Sequence, residues 1–248
     1  VMIGDYGVYD NLVNEITLEA WIYVDDNFET DWGTINPIIS KKDRTAEHTK
    51  SFEIGIHRDD CIAFSINSQT AYSLPGSINR NEWHHVAGTF SNGEVSLYID
   101  YTLVEIDDDV SNIIDSTILP NSDPLQIGQR IDGPPTHYKW VGKIDNPIIW
   151  DRALSPEEIQ ANANMELSGD EEGIIGYWNF NEGEGNVAYD LSNNQHHGTI
   201  YEPVWIYFDG DLCCLDFEND ADGDGICESD EIFGCDDLAA CNFDGGST

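Results

Sequence analysis

Glu15-Ile16-Thr17-Leu18-Glu19-Ala20-Trp21-Ile22-Tyr23-Val24 is the stretch that decides the fold. Its residues alternate in character and are rich in β-branched and aromatic side chains, the mark of a strand whose successive side chains point to opposite faces. Runs of the same kind recur at 35–40, 51–57, 61–67, 82–90, 94–100, 125–128, 139–150, 173–180 and 203–208. Clusters of Asn, Asp, Gly and Pro separate them, as at Ser91-Asn92-Gly93 and Asp132-Gly133-Pro134-Pro135. Short strands at this spacing predict an all-β sandwich or jelly roll of two antiparallel sheets. One segment reads as a helix. Ser155-Pro156-Glu157-Glu158-Ile159 places a capping Ser before a Pro at the first helical position, with acids in the first turn, and should run to about Met165.

A chain of 248 residues can hold one large domain of this kind plus a small appendage. Forty-eight acidic residues face ten basic ones, a formal net charge of −38. That balance excludes nucleic acid as a partner, because phosphate binding needs clustered Lys and Arg. It disfavours anionic membrane surfaces for the same reason, and no run of about 18 apolar residues offers membrane insertion. Carboxylates in such excess repel one another unless salt or divalent cations screen them, which points to a saline or calcium-rich extracellular medium. Disorder, the other meaning of high charge, is countered by 40% hydrophobic and 11% aromatic residues with seven Trp. The chain opens inside what reads as a strand-bearing domain, at Val1-Met2-Ile3-Gly4-Asp5, so a piece of a longer secreted protein is expected.

Beyond Arg152 the chain carries no basic residue, and after Asp209 it turns to acids, Cys and Gly. The expected division is a body at 1–208 and an acidic tail at 209–248. Five of six cysteines, Cys213, Cys214, Cys227, Cys235 and Cys241, crowd into that tail, as in a disulfide-stapled segment from an oxidising compartment. Zinc lacks the C-x2-C pairs that it favours. Cys61 stands apart as a buried free thiol.

Several blocks in order resemble the laminin-G-like, pentraxin-related family of concanavalin-like jelly rolls. They are Thr17–Ile22, Ile38-Ile39-Ser40-Lys41, Trp83-His84-His85-Val86-Ala87-Gly88-Thr89-Phe90, Val95-Ser96-Leu97-Tyr98-Ile99-Asp100, Pro124–Gly128, Val141–Asp145 and, most specific, Trp150-Asp151-Arg152-Ala153-Leu154-Ser155-Pro156-Glu157-Glu158-Ile159. Tyr101 stands where the family usually has Gly, which alters a hairpin turn. Tyr177-Trp178-Asn179-Phe180-Asn181-Glu182-Gly183, with Asp190-Leu191-Ser192-Asn193, resembles the strand that opens many members but follows the helix here, so the last strand should close beside the first. The resemblance implies a recognition module that binds glycans or protein partners, with structural calcium. Fold membership names no ligand.

Asp220-Ala221-Asp222-Gly223-Asp224-Gly225-Ile226-Cys227-Glu228-Ser229-Asp230-Glu231 carries the spacing of a twelve-position calcium loop. Asp220, Asp222 and Asp224 supply carboxylates at positions 1, 3 and 5, Gly225 the turn, and Ile226 its carbonyl; Glu228 stands at position 9 and Glu231 closes the loop as bidentate ligand. Its flanks are too short for an EF-hand helix, so it resembles the calcium repeats of thrombospondin type 3 or dockerin-like proteins. Gly234-Cys235-Asp236-Asp237 onward resembles a Cys-containing repeat in tails of secreted bacterial surface proteins. That implies a Cys235–Cys241 bridge and pairing of Cys213 or Cys214 with Cys227, with the connectivity open. A second Ca2+ site is expected from Asn179, Glu182, Asp190 and Asn194, whose side chains could equally cap turn amides.

Glu105-Ile106-Asp107-Asp108-Asp109 comes near the acidic strand motif of concanavalin-fold glycosidases, but its polar middle and loop setting read as an acidic rim. Of the histidines, His84-His85 fall on opposite faces of a strand and read as packing groups. Trp32, Tyr72, Tyr138 and Trp140 lie near loops and are the candidates for stacking on sugar rings. The reading is an extracellular calcium-binding recognition module for a glycan or a cell-surface protein. Its rivals are a calcium-stiffened spacer without a glycan ligand and a glycoside hydrolase.

Overall fold

The computed structural model describes residues 1–28, 35–42, 51–57, 59–107, 117–130 and 139–201. Two antiparallel sheets form a jelly-roll sandwich. The larger has eight strands in the order β13 (Val187–Ala188), β14 (Gly198–Thr199), β1 (Met2–Ile3), β10 (Leu125–Ile127), β3 (Ile35–Ser40), β4 (Phe52–His57), β5 (Cys61–Ile66) and β6 (Gln69–Tyr72). The smaller has six, in the order β12 (Ile174–Tyr177), β11 (Gly142–Trp150), β2 (Glu15–Val24), β7 (Trp83–Ser91), β8 (Glu94–Ile99) and β9 (Thr102–Leu103).

The deciding stretch is β2, a central strand paired over its whole length with β7 and with β11. Ile16, Leu18, Ala20, Ile22 and Val24 point between the sheets, where they meet Ile54, Ile56, Phe64 and Phe90. Each such buried Ile, Leu or Val side chain stabilises the fold by roughly 1.5–3 kcal/mol. The sheets come close enough that a Cβ on Gly88 would stand 2.3 Å from the Phe64 ring, so only glycine fits there.

The opposite face of β2 is also covered. Thr17 and Glu19 are fully buried and Trp21 nearly so, beneath a second apolar cluster that includes Ile148, Trp150, Leu154, Ile159 and Tyr177. Helix α1 (Pro156–Ala163) supplies Ile159 to this layer. Its N-terminus is the expected capping box: Ser155 Oγ accepts from Glu158 N and Glu158 Oε2 accepts from Ser155 N at 2.8 Å. The helix stops two residues before the expected Met165, where Asn164 N turns back to Ala161 O in a tighter bond.

The last described strand closes beside the first, β14 pairing with β1 through Met2–Thr199 and Ile3–Gly198. The Tyr177 strand lies elsewhere, as β12 at the edge of the smaller sheet beside β11. Tyr101, in place of the usual Gly, adopts φ 65° next to Asp100 at φ 47°, the left-handed pair of a two-residue hairpin turn. Its ring packs on Trp21 and His85, and its hydroxyl donates to Asn164 Oδ1 at 3.2 Å, contacts that offset the backbone strain. Cys61 is a buried free thiol, as expected, and burial pushes it up to about 11. The domain boundary near 209, the calcium loop and the five tail cysteines lie outside the described residues.

Candidate functional site

A cleft of about 520 Å3 opens at one end of the sandwich, within the range of small-ligand sites. A short 3-10 turn (Val8–Asn11) and the loop that follows it form one wall. The β7–β8 hairpin, through Asn92, and the end of β11, through Asp151, form the other. Leu12 and Ile175, almost fully buried, make the apolar floor.

Local chemistry sets this geometry. Asn92 and Gly93 take φ 49° and 98°, the left-handed pair that the Ser91-Asn92-Gly93 turn signal requires. Asn92 N then donates to Asn14 O at 2.9 Å and ties the hairpin to the loop. Val13 O accepts from Ile118 N at 2.8 Å. The Glu15 carboxylate is engaged at the base, taking the Ser91 hydroxyl at 3.2 Å and the Ala153 amide at 3.4 Å. Asn11, Asn14 and Asp151 present side chains with no hydrogen-bond partner among the described residues. Among the described residues, no Lys, Arg or aromatic residue lines the cleft. The result is a hydrogen-bonding rim over an aliphatic floor, suited to a neutral polyhydroxyl ligand.

A second, much smaller pocket of about 20 Å3 lies between the smaller sheet and α1. Glu19 Oε1 accepts from the Trp150 indole at 2.7 Å, and its other oxygen lies 3.6 Å from His85 Nε2. Glu19 Oε2, His85 Nδ1 and Asn162 Nδ2 are buried without hydrogen-bond partners. Burial pushes Glu19 up to about 7, with the Trp150 bond pulling the other way, and burial pulls His85 down to about 3. The space suffices for a single water and excludes a sugar ring. The two histidines do fall on opposite faces, and both are buried. His84 sits on the inner side, 2.8 Å from Asp100 Oδ2, and that hydrogen bond holds it above the usual imidazole range.

Of the aromatic candidates, Tyr72 lies in β6 and packs edge-on against His57, while Trp140 packs against Phe28 and donates to Lys143 O at 3.1 Å. They occupy separate contacts rather than one platform. Trp32 and Tyr138 lie outside the described residues. Of the acidic run, Asp107 N donates to Tyr72 O at 2.9 Å, and Asp108 and Asp109 are not among the described residues.

Three of the four candidates for the second calcium site spend oxygens on backbone amides, and Asn194 is engaged as a donor. Asp190, 2% exposed, accepts from Tyr177 N, Ser192 N and His196 N at 3.0, 2.9 and 2.7 Å. Glu182 Oε1 takes Tyr189 N at 2.7 Å, and Asn179 Oδ1 takes Asn181 N at 3.3 Å. Asn194 donates to Ile175 O at 3.0 Å. Glu182 Oε2 is buried without a partner. Among the described residues, no three His, Cys, Asp or Glu side chains converge as a metal cluster.

The cleft residues carried little signal in sequence. Asn11 and Asn14 stand just ahead of β2, where polar residues read as an ordinary turn, and Asp151 and Ile175 join them only through the packing of β11 against β12.

The family model Laminin_G_3, described as the concanavalin A-like lectin/glucanases superfamily, matches residues 4–160. Pentraxin-related protein PTX3 of Mus musculus is 30% identical over 108 residues, 40% of this chain and 28% of that protein. A solved structure of a candidate carbohydrate binding protein from Bacteroides ovatus superposes with TM-score 0.60 at 21% identity, over 80% of this chain and 54% of that one. The Trypanosoma rangeli sialidase gives TM-score 0.43 at 18% identity, over 59% of this chain and 22% of the sialidase. The chain thus spans about half or less of each of these proteins. Among the described residues, no helix is long and apolar enough to cross a membrane.

Proposed function

The chain belongs to the concanavalin A-like lectin/glucanases superfamily, and from that premise we propose that it is a non-catalytic extracellular recognition module that takes a neutral glycan in the end cleft. The cleft carries this reading. Amides of Asn11 and Asn14 and the carboxylate of Asp151 can exchange hydrogen bonds with sugar hydroxyls, while Leu12 and Ile175 meet a ring's C–H face. The lack of a lining cation among the described residues argues against a sulfated or sialylated ligand. Hydrolysis would need a pair of carboxyls set apart for acid and nucleophile. Glu15 is held by Ser91 and Ala153, which leaves Asp151 as the free carboxylate among the described lining residues and supports binding over cleavage.

The calcium part of the proposal rests on the Asp220–Glu231 loop, whose ligand spacing suits one Ca2+ and whose charge favours it. A tail held by that ion and by disulfides fits an oxidising, calcium-rich medium outside the cell, and a longer parent protein. The rival reading, a calcium-stiffened spacer, draws support from the separate packing of Tyr72 and Trp140.

A glycan array probed with the 1–248 chain, in calcium and in chelator, tests the proposal. Binding to a neutral glycan class that drops about tenfold in Asp151→Ala and Asn14→Ala supports the cleft. Silence from folded protein in both conditions establishes the spacer reading instead. Asp224→Ala and Glu231→Ala should each lose one bound calcium while the sandwich stays folded; unchanged stoichiometry in both would remove the loop from the assignment.

A further inference from the structure

Lys41, one residue past β3, is fully buried, and its ammonium lies in a cage of oxygens drawn from three separate parts of the chain. Nζ stands 2.9 Å from Asp123 O, 3.0 Å from Asn121 O and 3.1 Å from Asp5 Oδ1. Asn121 Oδ1 is farther, at 3.4 Å, and Asp10 Oδ1 lies at 4.0 Å. An ammonium has three N–H donors, and the three nearest oxygens use them. Asp10 Oδ1 is left buried with no hydrogen-bond partner.

The cage has its own bracing. Asn121 Nδ2 donates to Lys41 O at 2.8 Å, and Asp123 N donates to Asn121 Oδ1 at 2.9 Å. Two carboxylates, one amide oxygen and two main-chain carbonyls form the donor set of a hard divalent cation. Their charge of −2 is only half balanced by a lysine, and the Asp10 oxygen, 4.0 Å from the ammonium and without a hydrogen bond, is the visible sign of that shortfall.

We infer that the Lys41 ammonium occupies, as a tethered monovalent cation, a position whose oxygen donors suit Ca2+, and that removing it opens a calcium site. To reach calcium–oxygen distances of about 2.3–2.6 Å the metal would draw the three nearest oxygens in by about half an ångström, Asn121 Oδ1 by about 1 Å and Asp10 Oδ1 by about 1.5 Å, with water filling the remaining positions. Asp10 belongs to the 3-10 turn that walls the cleft.

The test is Lys41→Ala in the full 248-residue chain, compared with wild type by equilibrium dialysis against Ca2+ up to about 10 mM, above the weakest protein calcium sites at about 1 mM. Sites common to both proteins cancel in the difference. The expected result is one additional calcium per chain, lost again when Asp10→Asn is added, and a thermal midpoint that calcium raises more than in wild type. A variant that folds only in calcium would also support the inference. A folded Lys41→Ala chain with wild-type stoichiometry would overturn it. So would failure of both Lys41→Ala and the more conservative Lys41→Gln to fold in calcium as well as in chelator, because the cage would then require the ammonium itself.

Discussion

The Lys41 cage and the Glu19–His85 pocket are both buried polar clusters, and they handle charge in opposite ways. Around Lys41 an ammonium donates to three close oxygens, two of them main-chain carbonyls from one loop. Around Glu19 there is one strong hydrogen bond, from Trp150, and three polar atoms lack one. The first cluster meets the cost of burial with partners, and the second meets it by moving protons: Glu19 rises to about 7 and His85 falls to about 3. Buried charge therefore says little until its partners are counted.

The largest effect should come from breaking the satisfied cluster. In chelator, Lys41→Met keeps an apolar stem but leaves Asp5 and Asp10 facing two carbonyls, and should cost about 3–5 kcal/mol in urea unfolding. A loss below about 1 kcal/mol would mean that water reaches the cage and that the two clusters do not differ in kind.

Next in size is the acid limb of the other cluster. His85 is depressed from its ordinary 6.5, so its contribution is present above 6.5 and is lost as pH falls toward about 3, up to about 4 kcal/mol between pH 6.5 and 3.5. His85→Leu should accordingly shift the acid-unfolding midpoint to lower pH. An unmoved midpoint would show that His85 is solvated when protonated.

Glu19 works with the opposite sign. Its folded value is raised, so its contribution is complete below about 4.5 and is lost as pH rises through about 7. Glu19→Gln, which can still accept from Trp150, should match wild type near pH 5 and exceed it by up to about 3 kcal/mol at pH 8. Parallel stability curves would place Glu19 ionised throughout and remove the contrast with Lys41.

Much of the architecture was legible from local pattern. Alternation in 15–24 and its repeats located the long strands, and the Ser155-Pro156-Glu157-Glu158 cap located the helix start, because both signals depend on near neighbours. The two-residue strands β1, β9, β13 and β14 escaped notice, since pairing with distant partners defines them more than their own residues do. The candidate site was less legible still. Aromatic residues near loops were the natural guess for sugar contact, yet Tyr72 and Trp140 pack onto His57 and Phe28, and the cleft at the sandwich end is built from Asn11, Asn14 and Asp151 over Leu12 and Ile175.

By itself the sequence determined the all-β class, the central strand, the capped helix and a strongly acidic composition. The family resemblance carried in residues 15–165 was likewise there to be read. Only the tertiary structure decided which faces are buried. The outer side of β2 reads as half polar, and it becomes interior because α1 and the end of β11 fold over Glu19 and Trp21. It also brought Asp5, Asp10, Asn121 and Asp123 to one lysine from across the chain. Short-range periodicity encodes the direction in which a side chain points; what it meets there depends on contacts between residues far apart in sequence, and those set both charge and cleft.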